Sequence, residues 1–288
     1  MAAAAAGAGA GRGDAAPILR ASPASKETLP VVGLGTWQTF DVGADAAARA
    51  PLRRVLQTFV DLGGRVVDSS PMYGHAESVV GDLAAELGVR NRLFLATKVW
   101  TSGRAAGVAQ AETSLRRLRT TVLDLLQVHN LVDWRTHLRT LREWKRSGRI
   151  RYVGITHYTA GAYGELEAVL TAERVDFIQL NYSLAERDAE RRLLPLAADL
   201  GVAVLINRPF AEGALFRRVR GRALPPWAGE IGCRTWAQVF LKWILAHPAV
   251  TCVIPATSRP EHLEDNMQAG RGPLPDTAMR ERIAAAVA

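Results

Sequence analysis

The residues of this chain best suited to chemistry gather around one stretch, Val66-Val67-Asp68-Ser69-Ser70-Pro71-Met72-Tyr73-Gly74. A carboxylate closes an apolar run, and a Ser-Ser-Pro turn then presents a phenol beside a glycine, the pattern of a buried strand end and the loop above it. Lys98 closes the next apolar run, and His129, followed by Asn130, closes the one after that. A tyrosine, with a reference pKa of about 10, is almost wholly protonated at neutral pH and can donate. A charged lysine beside the phenol favours the phenolate and is expected to lower that pKa, while an aspartate paired with the lysine keeps it charged and in place. A histidine can turn a carbonyl oxygen toward the phenol. Together they make a general acid for an oxyanion that develops as hydride arrives. None of the four supplies the hydride, so a cofactor must. No His-x-His or His-x-x-x-His spacing accompanies the carboxylate, and no metal centre is expected.

Each residue alone is weak, since a strand-end histidine is usually structural and a loop tyrosine usually packs. Their arrival on three successive strand ends is what favours function. Lys98 has a further claim. Lys26, Lys98, Lys145 and Lys242 are the only lysines beside many arginines, and lysine is the basic residue whose pKa moves readily on burial.

The elements that must position these groups repeat along the chain. Ile18 to Phe40 reads as a small hairpin leading into a strand at Val31 to Gly35, where Gly33 and Gly35 allow close approach to the backbone. Further strands are predicted at Val66–Ser70, Leu93–Lys98, Leu123–His129, Tyr152–His157, Asp176–Tyr182, Val202–Asn207 and Thr251–Pro255. Helices are predicted at Asp45–Leu62, His75–Leu87, Ala106–Leu118, Thr136–Ser147, Gly161–Leu170, Asp188–Leu200, Arg234–Ala246 and Pro260–Ala269. The strands are near-continuous Val, Ile and Leu runs, as in strands covered on both faces. Eight strands alternating with eight helices over about 250 residues are the arithmetic of an α/β chain folded as a (β/α)8 TIM barrel, here with a short N-terminal β-hairpin. The alternative is an open doubly wound sheet. Its Gly-x-Gly-x-x-Gly fingerprint is missing, because Gly33-Leu34-Gly35-Thr36-Trp37-Gln38 has glutamine in the third position. In a barrel the polar strand ends converge on one mouth, which adds Thr156, His157, Gln179, Asn181, Asn207, Arg208 and Thr257 to Arg259.

Length and a 48% hydrophobic content allow one large core. Residues 1–16 are nearly all Ala and Gly and read as a disordered tail, leaving 17–288 as the folded unit. Arg12 is followed by glycine and aspartate rather than an apolar segment, so no secretory signal is expected, and no apolar run is long enough to span a membrane. Two cysteines, Cys233 and Cys252, fit a reducing, cytoplasmic setting. The net charge of +8 raises the question of nucleic acid. The arginines are spread along the chain instead of forming one block, without interleaved aromatics, so no nucleic-acid surface is expected, and the field suits an anionic small molecule.

Six motifs in order resemble the aldo-keto reductase family across roughly Val31 to Ala269. They are Gly-Leu-Gly-Thr-Trp at 33–37, Asp-Ser-Ser-Pro-Met-Tyr-Gly at 68–74, Ala-Thr-Lys at 96–98, Gln-Val-His at 127–129, Gln-Leu-Asn-Tyr at 179–182, and Ile-Pro-Ala-Thr-Ser-Arg-Pro-Glu-His-Leu-Glu-Asp-Asn at 254–266. The resemblance implies Tyr73 as proton donor, Lys98 and Asp68 as its tuning pair, and His129 as the group that orients the substrate. It implies NADPH as cofactor, with its nicotinamide near Gly35, Thr36, Asp68, Gln179 and the pair Thr156-His157. Asn207, Arg208 and Pro209 stand in the segment where relatives carry a stacking tyrosine, so that stacking face is lost here. For the adenosine-phosphate end the implied contacts are Thr257, Ser258, Arg259, His262, Asp265 and Asn266, with Arg259 the base for a 2′-phosphate because Ala256 and His262 replace a lysine and an arginine. Trp37, Met72 and Trp100 are expected to wall a pocket for a small-molecule carbonyl substrate. The chain ends soon after the last helix, so the mouth is expected to lack a C-terminal flap. A monomer is the family's common habit. Two other classes remain: a cofactor-binding regulatory or interaction protein with weak turnover, and a metal-dependent barrel hydrolase.

Overall fold

The computed structural model describes residues 15–23 and 25–288, so 1–14 of the expected tail lie outside the described residues. An antiparallel hairpin comes first, β1 (Leu19–Ala21) with β2 (Thr28–Pro30). Eight parallel strands then follow one another round a single sheet in chain order: β3 (Leu34–Gly35), β4 (Val66–Asp68), β5 (Phe94–Val99), β6 (Leu123–His129), β7 (Ile150–Thr156), β8 (Phe177–Asn181), β9 (Ala203–Asn207) and β10 (Val250–Val253). The sheet closes on itself. Val32 bridges Val253, Gly35 bridges Ala256, and the Gly33 and Gly35 amides donate to Val253 O (2.8 Å) and Pro255 O (3.1 Å). The barrel expected from the sequence is the observed fold.

Closure explains why the first strand is shorter than the expected Val31–Gly35. Its chain pairs with β10 first and joins β4 only at Leu34. The two glycines serve that crossing. A Cβ on Gly33 would stand 2.8 Å from Val66 O, and one on Gly35 would stand 2.7 Å from Ile254 O, so what approaches the backbone there is the neighbouring strands.

The helices pack outside: α1 (Ala46–Asp61), α2 (Ala76–Glu86), α3 (Arg104–Arg117), α4 (Trp134–Arg146), α5 (Tyr163–Ala172), α6 (Leu193–Asp199), α7 (Ala214–Arg218), α8 (Trp236–Leu245), α9 (Pro260–Gln268) and α10 (Thr277–Val287). The helix expected over Asp188–Leu200 is broken into a short turn at Asp188–Glu190 and α6. Pro195 is tolerated only in the first turn of a helix, where its missing N–H has no partner to lose, so α6 must begin just before it. Helix α10 is not among the helices expected from the sequence. Every residue of α8 from Gln238 to Leu245 is buried, and an all-round apolar helix needs a further layer outside it. Helix α10 supplies that layer, with the Trp243 indole donating to Arg280 O at 3.1 Å. It lies against the outer wall, and none of its residues lines the mouth described below.

Strand alternation divides the interior into layers. One buried cluster inside the barrel comprises Leu29, Val66, Phe94, Ala96, Leu125, Tyr152, Phe177, Ala203, Leu205, Cys252 and Ile254. The hairpin plugs the base, where Leu29 is fully buried and Glu27 accepts from the Tyr152 hydroxyl at 2.9 Å. Further along the same strands at even spacing, and so on the same inward face, come Asp68, Lys98, Gln127, Thr156, Gln179 and Asn207. A greasy plug thus carries a polar floor.

Candidate active site

The polar floor is built from chain ends that the sheet holds in register. Gly35 pairs with Asp68, Lys98 with Gln127, His129 with Thr156, and Thr156 with Gln179. Lys98 is fully buried, and its Nζ donates to Asp68 Oδ2 at 2.6 Å and to Ser69 O at 2.7 Å. Asp68 Oδ1 accepts from Gln179 Nε2 at 2.8 Å and from Gln127 Nε2 at 3.3 Å, and Thr156 Oγ1 donates to Gln179 Oε1 at 3.1 Å. Gly154 leaves room for Gln127, since a Cβ there would lie 2.9 Å from Gln127 Cγ. A buried charge pair is costly unless its remaining lone pairs and protons are bonded, and here both carboxylate oxygens and two ammonium protons are.

Above the floor stand the two groups with free polar ends. The Lys98 ammonium lies 5.1 Å from the centroid of the Tyr73 ring, and Tyr73 meets the His129 ring edge-on at 6.2 Å between centroids. Burial pushes the Tyr73 phenol above its ordinary value; Lys98 pulls it down and Asp68 pushes it up, and burial prevails. The expectation of a lowered phenol is therefore corrected. Lys98 acts in the expected direction, and burial outweighs it. Burial, with help from the charges of Lys98 and His157, drives His129 down to about 3, so its ring is neutral. Its Nδ1 lies 3.3 Å from Ser70 Oγ. A Ser70 hydroxyl donating to Nδ1 leaves the Nε2 hydrogen for the cavity.

A cavity of about 590 Å³ opens here, and of the site residues expected from the sequence its wall includes Gly35, Thr36, Trp37, Asp68, Met72, Tyr73, Trp100, His129, Thr156, Gln179, Asn207, Arg208 and Pro209. Lys98 lies beneath it rather than on its wall. His157 does not line it: its Nδ1 accepts from the Tyr158 and Thr159 amides at 3.0 and 3.2 Å, and its ring stacks on Tyr158 at 5.5 Å. The segment at the start of α9 is also separate from the cavity wall. Thr257 Oγ1 accepts from the Arg259 amide at 3.1 Å, and the Arg259 side chain donates to Glu261 Oε1 at 2.6 Å. Asp265 accepts from Thr235 Oγ1 at 2.8 Å and Gln238 Nε2 at 2.6 Å, which ties α9 to the start of α8. Ser258 and His262 are exposed, and Asn266 is buried.

The same cavity is lined by residues that the sequence does not single out for it, among them Gln38, Thr39, Tyr158, Glu212, Gly213, Phe216 and Ile254. Tyr158 and Glu212 come from loops whose path no local pattern fixes, and Phe216 from the short helix α7 that follows one of them. Arg208 crosses between two such loops, donating to Tyr158 O at 2.9 Å and pairing with Glu212 at 2.9 Å. A signal exists only in the backbone. Of nine non-glycine residues with positive φ among the described residues, seven (Gln38, Asn130, Leu131, Asp133, Arg208, Ala211 and Glu212) leave the C-terminal strand ends, where such strain gathers at functional sites.

Fold and site together describe a TIM barrel in which a phenol and a neutral imidazole at the C-terminal ends of the strands face a largely apolar cavity. The chain belongs to the aldo/keto reductase family, whose model matches residues 31–286. It is 30% identical over 246 residues to methylglyoxal reductase YeaE of Escherichia coli, covering 83% of this chain and 84% of that protein. Among solved structures, an aldo-keto reductase from Klebsiella pneumoniae in complex with NADPH superposes with a TM-score of 0.79 at 26% identity, covering 95% of each chain. A second from the same organism, in complex with NADP and acetate, gives 0.76 at 28% identity over 91% of this chain and 93% of that one.

Proposed function

We propose that the protein is an NADPH-dependent carbonyl reductase in which Tyr73 is the general acid. The observation that carries this is the bonded Lys98–Asp68 pair, which leaves a protonated phenol and an imidazole N–H facing one cavity. The residues present fit a polar cofactor at the mouth. Asn130 Oδ1, Asn207 Oδ1 and Arg208 Nε are buried there without a partner among the described residues, and such atoms are costly unless a ligand satisfies them. Thr36, Thr156, Gln179, Asn207 and Arg208 would hold the nicotinamide end, and the exposed Ser258, Arg259 and His262 at the start of α9 the adenosine end. When bound, NADPH supplies a hydride to the carbonyl carbon.

The protein's part is to place and protonate the oxygen. His129 donates from Nε2 to the carbonyl oxygen and, being neutral, does not titrate away in the working range. Tyr73 gives its hydroxyl proton to that oxygen as negative charge develops, and Lys98 close to the ring stabilises the phenolate left behind. Solvent returns the proton. Substrate is held by the apolar rim. Among the described residues, Trp37, Met72, Trp100, Tyr158 and Phe216 are five of the seven large exposed hydrophobic residues, and all line this cavity. That concentration suits aldehydes and ketones with a flat apolar body.

The test is NADPH consumption with an aromatic aldehyde by wild type and Tyr73→Phe. Turnover should fall at least about a hundredfold in the variant, as loss of a general acid requires, with NADPH affinity retained. NADPH binding without turnover in the wild type would instead favour a cofactor-binding regulatory protein, a role consistent with Asn207 offering no stacking face.

A further inference from the structure

We propose that the opposite, N-terminal face of the barrel carries a second binding site, for a phosphate group. It lies in a cavity of about 590 Å³ between the short turn Arg90–Arg92, which leads into β5, and the turn that joins α3 to β6. Arg90, Arg116 and Arg119 line it, with the exposed side chains of Asn91 and Thr121, and no carboxylate is among its lining residues.

The charge there is not balanced. Neither Arg90 nor Arg116 has an acidic partner among the described residues, and Arg119 shares Asp82 with Arg49, so one carboxylate faces two guanidiniums. Asp124, the next acid, is committed to Arg151 at 2.7 Å and the Leu95 amide at 2.7 Å. Elsewhere on the outer helices Arg53 pairs with Glu86, Arg104 with Glu143 and Arg142 with Glu173, one acid to each. Arg90 is also set in place. Its Nη2 donates to Thr120 Oγ1 at 2.7 Å and Val122 O at 3.1 Å, and its Nη1 to Leu93 O at 3.3 Å, while its Nε is buried with no partner. Arg116 is held by Thr113 at 2.7 Å. Arg119 takes φ 50° as the left-handed end of α3, where the Thr120 amide donates to Leu115 O at 3.0 Å, and so sits on the turn that shapes the cavity.

Guanidiniums fixed around a shared space recognise oxyanions through paired charge-assisted hydrogen bonds. Leu115 and Val122 add an apolar wall beside them, room for the organic part of a phosphate ester. This site is independent of the reading of the mouth, since it shares no lining residue with it.

The experiment is calorimetric titration of the whole protein with inorganic phosphate and with phenyl phosphate at fixed ionic strength, in wild type and Arg116→Glu. Arg116 is exposed and bonds only to Thr113, so its reversal should leave the fold intact; Asn91→Glu is the second variant. Saturable binding in the wild type, weakened at least about tenfold in both variants, is expected from charge reversal in a shared site. Tighter binding of phenyl phosphate would identify an ester as the ligand class, and equal binding would identify free phosphate. No binding in the wild type, or equal binding in all three proteins, overturns the proposal; the second result would place the anion at the mouth.

Discussion

The floor of the barrel and the start of α9 both carry polar residues that sequence motifs mark for a ligand, yet they use them oppositely. In the floor the groups bond to one another and leave their reactive ends over the cavity: Lys98 and both glutamines hold Asp68, while Tyr73 and His129 face outward. At α9 the marked groups bond inward. Asp265 fastens Thr235 and Gln238, and Arg259 is clasped by Glu261. A residue's type says what it can bond; only its neighbours say what it has left to offer.

The sharpest way to break this contrast is Lys98→Met, which strands the Asp68 carboxylate in the floor. Removing one partner of a buried pair should lower stability by about 3–5 kcal/mol, read as a shifted urea midpoint, with turnover lost as well. A variant as stable as the wild type would mean that the pair does not hold the floor.

A smaller effect is expected at α9. Asp265→Ala removes the acceptor of two side-chain donors and should cost about 1–2 kcal/mol, since each such bond contributes roughly 1 kcal/mol. NADPH affinity, followed by fluorescence, should change by less than about threefold, a free-energy difference under about 1 kcal/mol. A large loss of affinity with stability unchanged would show α9 to be a ligand surface first.

The contrast can also be sharpened by pH, in two parts. Turnover should show no inflection near 6.5, because His129 is neutral down to about 3 and Tyr73 stays protonated beyond its ordinary 10. Stability should respond, however. The unfolded chain protonates this histidine below 6.5 while the folded chain does not until about 3, so the unfolded state binds more protons in that window. The contribution is intact above 6.5 and is lost as pH falls through the window. A shallower acid slope of the urea midpoint in His129→Asn would confirm the source.

Much of the floor is legible in the order of residue types along the chain. The apolar run Leu123–His129 coincides with β6, and Asp68, Lys98 and His129 fall at strand ends because buried parallel strands are long apolar runs that stop where polarity begins. Helix α10 is not legible in this way, because its reason for existing is the outer face of α8 rather than anything in its own pattern.

The sequence by itself determined the alternation of strands and helices, the strand-end chemistry and the family, since these rest on local periodicity and on residues a few positions apart. Tertiary structure decided the rest: that Gly33 and Gly35 serve barrel closure, that Asp265 looks to Thr235, that His157 turns to its own loop, and that Tyr73 is raised rather than lowered. Each depends on distances between groups far apart in the chain and on how deeply they are buried. Burial and the sharing of a hydrogen-bond partner are properties of the packed assembly, and no local spacing encodes them.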